Sequence, residues 1–452
     1  MPLRSRKSKI SNNSGTKVLY CRDFIQDIKD KANVLKIVDD KCSSIPLKIG
    51  EYILDNSLFK ISELILHGSK SKSCPDNNIK RKEDIDAGVC GIILYLIELN
   101  KTQTDPMFLK AIQDAGEDLV NHCKSTSRSH YGFYKGRAGV CYTLLKLSDA
   151  TGDSKFLDFA MELIKNETDT YIQSEFTSNR LYDGRSGLLL VLLHLYNNIP
   201  EYWIFERISL CLNKIISDFV FTDQGIVWNK RDINIHPLNS FLFGSSGVAF
   251  TLLQVAEFFN NPELLFMAKS IFTFEDLQWN DELSDWPDFR KEIITGEDYK
   301  IHKHKYLNKI FSFFTIPSES YDWADGTTGL CMARLPSLYN EDNARFKSLI
   351  EKGISKLLDF KTENLSLANG ISGVGSLYIE ASKYLNVSAY IEKIHEIADT
   401  LNNKELSYQD ISLLYGITGI GNFLLQLKNP GDFQSVLLPT LKKNKQLKEN
   451  QI

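Results

Sequence analysis

Three ionisable side chains in this chain share one setting. Lys135, Asp183 and Asp325 each stand immediately before a glycine that opens a run of apolar residues. Two arginines, Arg137 and Arg185, lie one step past the glycines at 136 and 184. In a partly desolvated cavity a carboxylate can act as acid or base, and a lysine can steady a developing thiolate or enolate. The same three groups could instead form an ion-pair network that only holds structure together. The choice depends on the elements that position them.

Those elements repeat. A Gly-x-x-Gly followed by an apolar helical run occurs seven times, with its first glycine at Gly88, Gly136, Gly184, Gly244, Gly326, Gly370 and Gly416. The spacings are 48, 48, 60, 82, 44 and 46 residues. One such pair of glycines is weak evidence, but seven, each opening a run of similar length, define a repeat unit. Between copies lie segments such as PMFLKAIQDAGEDLVNHC and SKFLDFAMELIKNETDTYI, with apolar residues at i, i+3 and i+4. Each unit is therefore a hairpin of one nearly all-apolar helix and one amphipathic helix. The apolar helix belongs inside and the amphipathic one faces water. A closed ring of such units needs no capping repeat.

The predicted fold is an all-α (α/α) toroid of seven helical hairpins spanning 48–427. Residues 1–47 form a basic N-terminal tail with a lead-in helix, and 428–452 a polar C-terminal tail. An insertion at about 274–320 interrupts the ring. All seven inner helices would point their N-termini, with unpaired N–H groups and positive dipole ends, at one face suited to an anion. The alternative is that the glycines serve close packing alone.

The glycine elements resemble those of the lanthionine synthetase C-like family over nearly the whole chain. Trp323-Ala324-Asp325-Gly326-Thr327-Thr328-Gly329 is similar to the family's Trp-Cys-x-Gly-x-Pro-Gly element, and Leu367-Ala368-Asn369-Gly370 to its Cys-His-Gly element. Asn239 to Gly247 resembles the element carrying His-Gly, and Trp286-Pro287 in the insertion adds to the likeness. The resemblance implies a peptide-modifying enzyme. Such enzymes add a cysteine thiolate across dehydroalanine or dehydrobutyrine in a precursor peptide, using zinc held by two Cys and one His with a nearby His and Asp as acid and base. Here the zinc positions fall on Ala324, Ala368 and Asn369, and the acid/base His on Phe243. Asp183 stands close to the family's Asp. Alanine has no donor atom, and Asn and Phe are not zinc ligands, so no cofactor is expected.

In the family, the residue before the first glycine points inward. That implies Lys135, Asp183 and Asp325 as candidate catalytic groups around one mouth. Arg137, Arg185, Trp323, Asn369 and Tyr415 are the candidate peptide-binding groups. The expected partners are a precursor peptide and, as a candidate second partner, a dehydratase. A zinc-independent cyclase is the first functional reading and a non-catalytic peptide- or partner-binding module the second. A third, a glycosidase using Asp183 and Asp325 as paired carboxylates, is disfavoured by the glycine series.

Composition narrows the class further. Lys and Arg total 53 against 57 Asp and Glu, a net charge of −4 that argues against a general nucleic-acid binder. No apolar run reaches the ~20 residues that span a bilayer, and the basic, polar start MPLRSRKSKISNNSG is no secretory signal. Eight scattered cysteines without a CxxC pair read as buried free thiols, Cys331 among them. These features place the protein in the cytoplasm. His302 and His304, within EDYKIHKHKY, read as part of a solvated loop.

Overall fold

A computed structural model of the chain describes residues 44–61, 63, 83–127, 130–227, 237–290, 296–308, 317–340, 343–385 and 387–441. The expected N-terminal tail up to residue 43 and the last residues from 442 lie outside them. The inner helices are α2 (Val89–Thr102), α4 (Arg137–Thr151), α6 (Arg185–Asn198), α8 (Ser245–Phe259), α11 (Thr327–Arg334), α13 (Ile371–Ala381) and α15 (Ile417–Lys428). Outside them stand α1 (Ser44–Asp55), α3 (Pro106–Ser125), α5 (Ser154–Gln173), α7 (Tyr202–Ser217), α9 (Pro262–Asp276), α12 (Ala344–Lys356) and α14 (Ser388–Asn403). A short helix, α10 (Gly296–Leu307), lies in the insertion, and a small hairpin of β1 (Val220–Thr222) and β2 (Gly225–Val227) follows α7.

Each inner helix packs on the next, and α15 returns to α2, so the ring closes. The outer partner of α15 comes from the other end of the chain, for α1 packs against it. The expected toroid of seven hairpins is the observed architecture.

Inner and outer helices begin by different means. Four of the outer helices use side-chain caps: Asp105 accepts from the Met107 amide and Asp153 from that of Lys155. Asn261 and Asn343 each accept from two first-turn amides. Each such cap contributes about 1 kcal/mol. The inner helices start at glycine with no side-chain cap. In six of them the first helical amide donates instead to the carbonyl seven residues earlier: Arg137 to His130, Arg185 to Ser178, Ser245 to Leu238, Thr327 to Ser320, Ile371 to Asn364 and Ile417 to Asp410. In four repeats the next residue's hydroxyl copies the move, as when Thr418 Oγ1 donates to the Ile411 carbonyl at 2.5 Å.

This doubling-back explains the second glycine. A Cβ on Gly91, Gly139, Gly187, Gly247, Gly329, Gly373 or Gly419 would lie 1.9–2.4 Å from the carbonyl oxygen six residues before it. The lead-in segment presses flat on the first helical turn, and only glycine leaves room. Packing thus accounts for the glycines. The expected supply of unpaired first-turn N–H groups is smaller by the first amide in six helices, which the chain itself satisfies.

The C-terminal expectation also needs correction. Phe433 to Pro439 is buried, not a solvated tail. The Val436 carbonyl accepts from Tyr134 Oη at 2.6 Å, that of Leu437 from Trp323 Nε1 at 3.1 Å, and Gln254 Oε1 accepts from the Leu441 amide at 2.9 Å. These partners sit on three different repeats, so the segment fills the centre of the toroid.

Replacing Gly329 with alanine should lower the unfolding free energy by ~1–3 kcal/mol, the usual cost of overpacking. Alanine at Gly431, where nothing lies within 4 Å of the added Cβ, should stay within about 0.5 kcal/mol of wild type. Denaturant titration of the two variants checks the contrast.

Candidate functional site

The seven lead-in segments are joined by main-chain hydrogen bonds that run full circle. The Asp86 amide donates to the Tyr134 carbonyl (3.3 Å), Tyr134 to Tyr182 (3.0 Å), Tyr182 to Leu242 (3.0 Å) and Leu242 to Ala324 (3.0 Å). Trp323 then donates to Ala368 (2.9 Å), Ala368 to Leu414 (2.8 Å), and Leu414 back to Asp86 (3.1 Å). Every accepting carbonyl belongs to the residue two before a first glycine. The ring gathers all seven inner-helix starts at one end of the toroid, and the candidate site lies there.

The residues directly before the glycines form the rim. Lys135, Asp183 and Phe243 are half-buried, Asn369 and Tyr415 exposed, and Asp325 buried. Among the described residues no ion pair joins Lys135 to Asp183 or Asp325, so the expected network among these three is not formed. The Asp183 carboxyl turns back on its own loop, where Ser178 Oγ donates to it at 3.4 Å.

Asp325 is the best-held of the three. Its Oδ2 accepts from Arg290 Nη1 at 2.6 Å, and its Oδ1 from Ser240 Oγ at 2.8 Å. Ser240 Oγ also accepts from the Phe243 amide at 2.9 Å, which brings the Asp325 carboxyl to the loop where the family's acid/base histidine falls. Burial pushes the Asp325 carboxyl up to about 6; Arg290 and the Ser240 bond pull it down, while Asp322 and Asp288 add to the rise. Arg290 comes from the insertion and also grips Asp288. Two tryptophans pin that insertion. Trp286 Nε1 donates to Asp276 Oδ1 at 2.8 Å, its ring meets Trp279 edge-on at 4.7 Å, and the Arg334 guanidinium lies 4.4 Å above it. His302 and His304 sit on α10, a helix rather than the expected loop.

Three candidate binding residues are buried within the fold. Arg185 is 0% exposed; its guanidinium donates to the carbonyls of Ile172, Ser174 and Thr177, the end of outer helix α5, and to Asp218. Arg137 does the same for α3, donating to the Cys123 and Thr126 carbonyls. Both cap helix C-termini, which corrects their expected peptide-binding role. Trp323 is likewise 0% exposed, bonded to the C-terminal segment beneath the ring.

The residues at the family's zinc positions do not fit a zinc ion, since Ala324 and Ala368 offer only methyl groups. Among the described residues no cluster of three His, Cys, Asp or Glu is arranged to hold a metal. Cys331 lies buried in α11, its thiol pushed up by burial and directed at the Ile350 carbonyl.

Sequence reasoning passed over Arg290, Ser240, Asp86 and Tyr182. Asp86 and Tyr182 occupy the ring seats themselves, two before a first glycine, and Tyr182 Oη donates to Asp86 Oδ2 at 2.5 Å. Their signal was present in the register shared with Ala324 and Ala368.

Seven glycine-opened helices around one ring of loops, enclosed by seven outer helices, define an (α/α) toroid whose inner-helix starts share one face. A model of the lanthionine synthetase C-like proteins matches residues 80–438, and the chain belongs to that family. It is 23% identical over 391 residues to the lacticin 481/lactococcin biosynthesis protein LcnDR2 of Lactococcus lactis subsp. lactis, covering 79% of this chain and 37% of that protein. It is 19% identical over 377 residues to the nisin biosynthesis protein NisC of the same subspecies, covering 75% and 86%. The chain thus spans little more than a third of LcnDR2. Among solved structures, nisin cyclase superposes with a TM-score of 0.62 at 16% identity, over 82% of this chain and 93% of that one, a likeness of fold. None of the described helices is long and apolar enough to cross a membrane.

Exchanging Arg185 for leucine should cost about 3–5 kcal/mol, because it strips the end of α5 and leaves Asp218 without its buried partner. Chemical denaturation reads this directly. A role in substrate contact would instead weaken peptide affinity and leave the unfolding midpoint in place.

Proposed function

We propose that this chain is a zinc-independent cyclase that adds cysteine thiols to dehydroamino acids in a ribosomal precursor peptide. The reaction needs a base for the thiol proton, support for negative charge on the enolate, and an acid for the α-carbon. The observation that carries the reading is the Asp325 carboxyl. It stands beside Ala324, is poised near 6, and reaches the loop of Phe243 through Ser240. In this reading Asp325 supplies the α-carbon proton, while Lys135 and the converging helix dipoles steady the charge. Asn369 and Tyr415, exposed on the rim, contact the peptide. A cytoplasmic setting, with a dehydratase supplying the dehydrated peptide, completes the proposal. The bare methyls at 324 and 368 favour a second reading, a module that only holds the peptide.

Incubation with a dehydrated, cysteine-containing peptide, followed by thiol alkylation and mass spectrometry, separates the two. Accelerated, site-selective thiol loss is the expected result, and binding without acceleration would leave only the module. The pH profile carries a further expectation. An acid near 6 is protonated below that value, so the catalysed rate should fall as pH rises through about 6. Asp325→Asn should remove that limb and slow turnover by ~100-fold or more.

A further inference from the structure

The bond between Tyr182 and Asp86 has an unusual path. Going round the ring, these two residues are separated by the seat of Tyr134, yet their side chains meet at 2.5 Å. The side-chain bond thus links two seats that are not neighbours in the ring. The carboxylate and phenol therefore join the first and third repeats beside the seat of Tyr134. Asp86 is sealed, at 1% exposed, and its second oxygen accepts from the Ala87 amide at 2.7 Å. Tyr182 keeps more exposure, at 8%.

The phenol is also held from both sides. Its ring stacks on Tyr134, with centroids 6.3 Å apart and planes 13° off parallel. On the other side it meets the Phe243 ring at 4.9 Å. The Phe243 amide in turn donates to Ser240 Oγ, which bonds the Asp325 carboxyl, while the Arg180 guanidinium lies 5.9 Å from the centroid of the Phe243 ring. Tyr182 and Asp325 are thus both tied to Phe243, one through its ring and the other through Ser240 and its amide, and addition of a thiol to an alkene needs a base and an acid.

We propose that Tyr182, backed by Asp86, takes the proton from the attacking thiol. This rests on the cyclase reading above. As the S–H bond breaks, the thiol proton passes to the tyrosine oxygen and the tyrosine's own proton moves to the Asp86 carboxylate. The sulfur lone pair forms the new bond to the β-carbon, and the alkene's π electrons move into the enolate. The α-carbon then takes its proton from Asp325. Asp86 releases its proton to water and Asp325 regains one, so the enzyme is restored and only a thioether has formed. Tyr182 is the catalytic residue of the pair. Asp86, which acts through it, is a positioning residue and proton acceptor.

The test uses the full chain and a synthetic peptide carrying one dehydroalanine and one cysteine. Wild type, Tyr182→Phe and Asp86→Asn are compared in kcat and KM for thiol loss and in thermal unfolding midpoint. Asp86→Asn keeps an acceptor oxygen for the tyrosine but cannot store the proton. The expected result is a kcat lowered by ~100-fold or more in both variants, the scale of lost general-base catalysis. KM and the unfolding midpoint of Tyr182→Phe should stay near wild type. A Tyr182→Phe protein that turns over within threefold of wild type overturns the pair while leaving the cyclase reading in place. A wild-type protein that does not accelerate thiol loss overturns both.

Discussion

The structure depends on a circle of seven main-chain hydrogen bonds between loops. Each lead-in segment donates to the next, and the last, Leu414, donates back to the first, Asp86. A toroid has no natural end, so the chain must join its two extremes. It does so twice: at the ring, and where α1 packs against α15. The ring can form only if each segment lies against its own helix start. That in turn requires a residue without Cβ at the second glycine, where any side chain would meet a carbonyl oxygen at 2.4 Å or less. The repeated glycines and the ring are two aspects of one constraint.

The same constraint shapes the candidate site. The first amide of six inner helices is spent on the chain's own carbonyls, which leaves the side chains on the seats and rim and the helix dipoles behind them to shape the face. Family zinc chemistry uses thiolate and imidazole donors at positions that here carry two methyls and an amide. The face also carries oxygen groups: Asp325, held by Ser240 and by Arg290 from the insertion, and Asp86, bonded by Tyr182. Proton transfer is the chemistry that oxygen groups of this kind can perform. Beneath them the C-terminal segment fills the centre and fixes Tyr134 and Trp323 from below.

The architecture was legible because its signal repeats: seven glycine pairs, each followed by an apolar run, admit few other folds. The site was less legible, and the reasons are physical. The residue before each first glycine forms the rim, whereas the ring seat is one position earlier. Arg137 and Arg185 sit one step inside the glycine pair, and a helix turns roughly 100° per residue. That step aims them outward to cap α3 and α5, a geometry that residue type alone does not reveal. Arg290 approaches Asp325 from 35 positions away, with no local pattern to announce it. The plug could have been suspected from the apolar group Phe433, Val436, Leu437 and Leu438, which the charged residues after it obscured.

Amide hydrogen exchange of the folded protein tests the ring most directly. If the loops are closed by these bonds, the amides of Asp86, Tyr134, Tyr182, Leu242, Trp323, Ala368 and Leu414 exchange slowly and as one cooperative class, with protection approaching that of global unfolding. Seven amides that exchange quickly, each at the pace of an ordinary surface loop, would contradict the account.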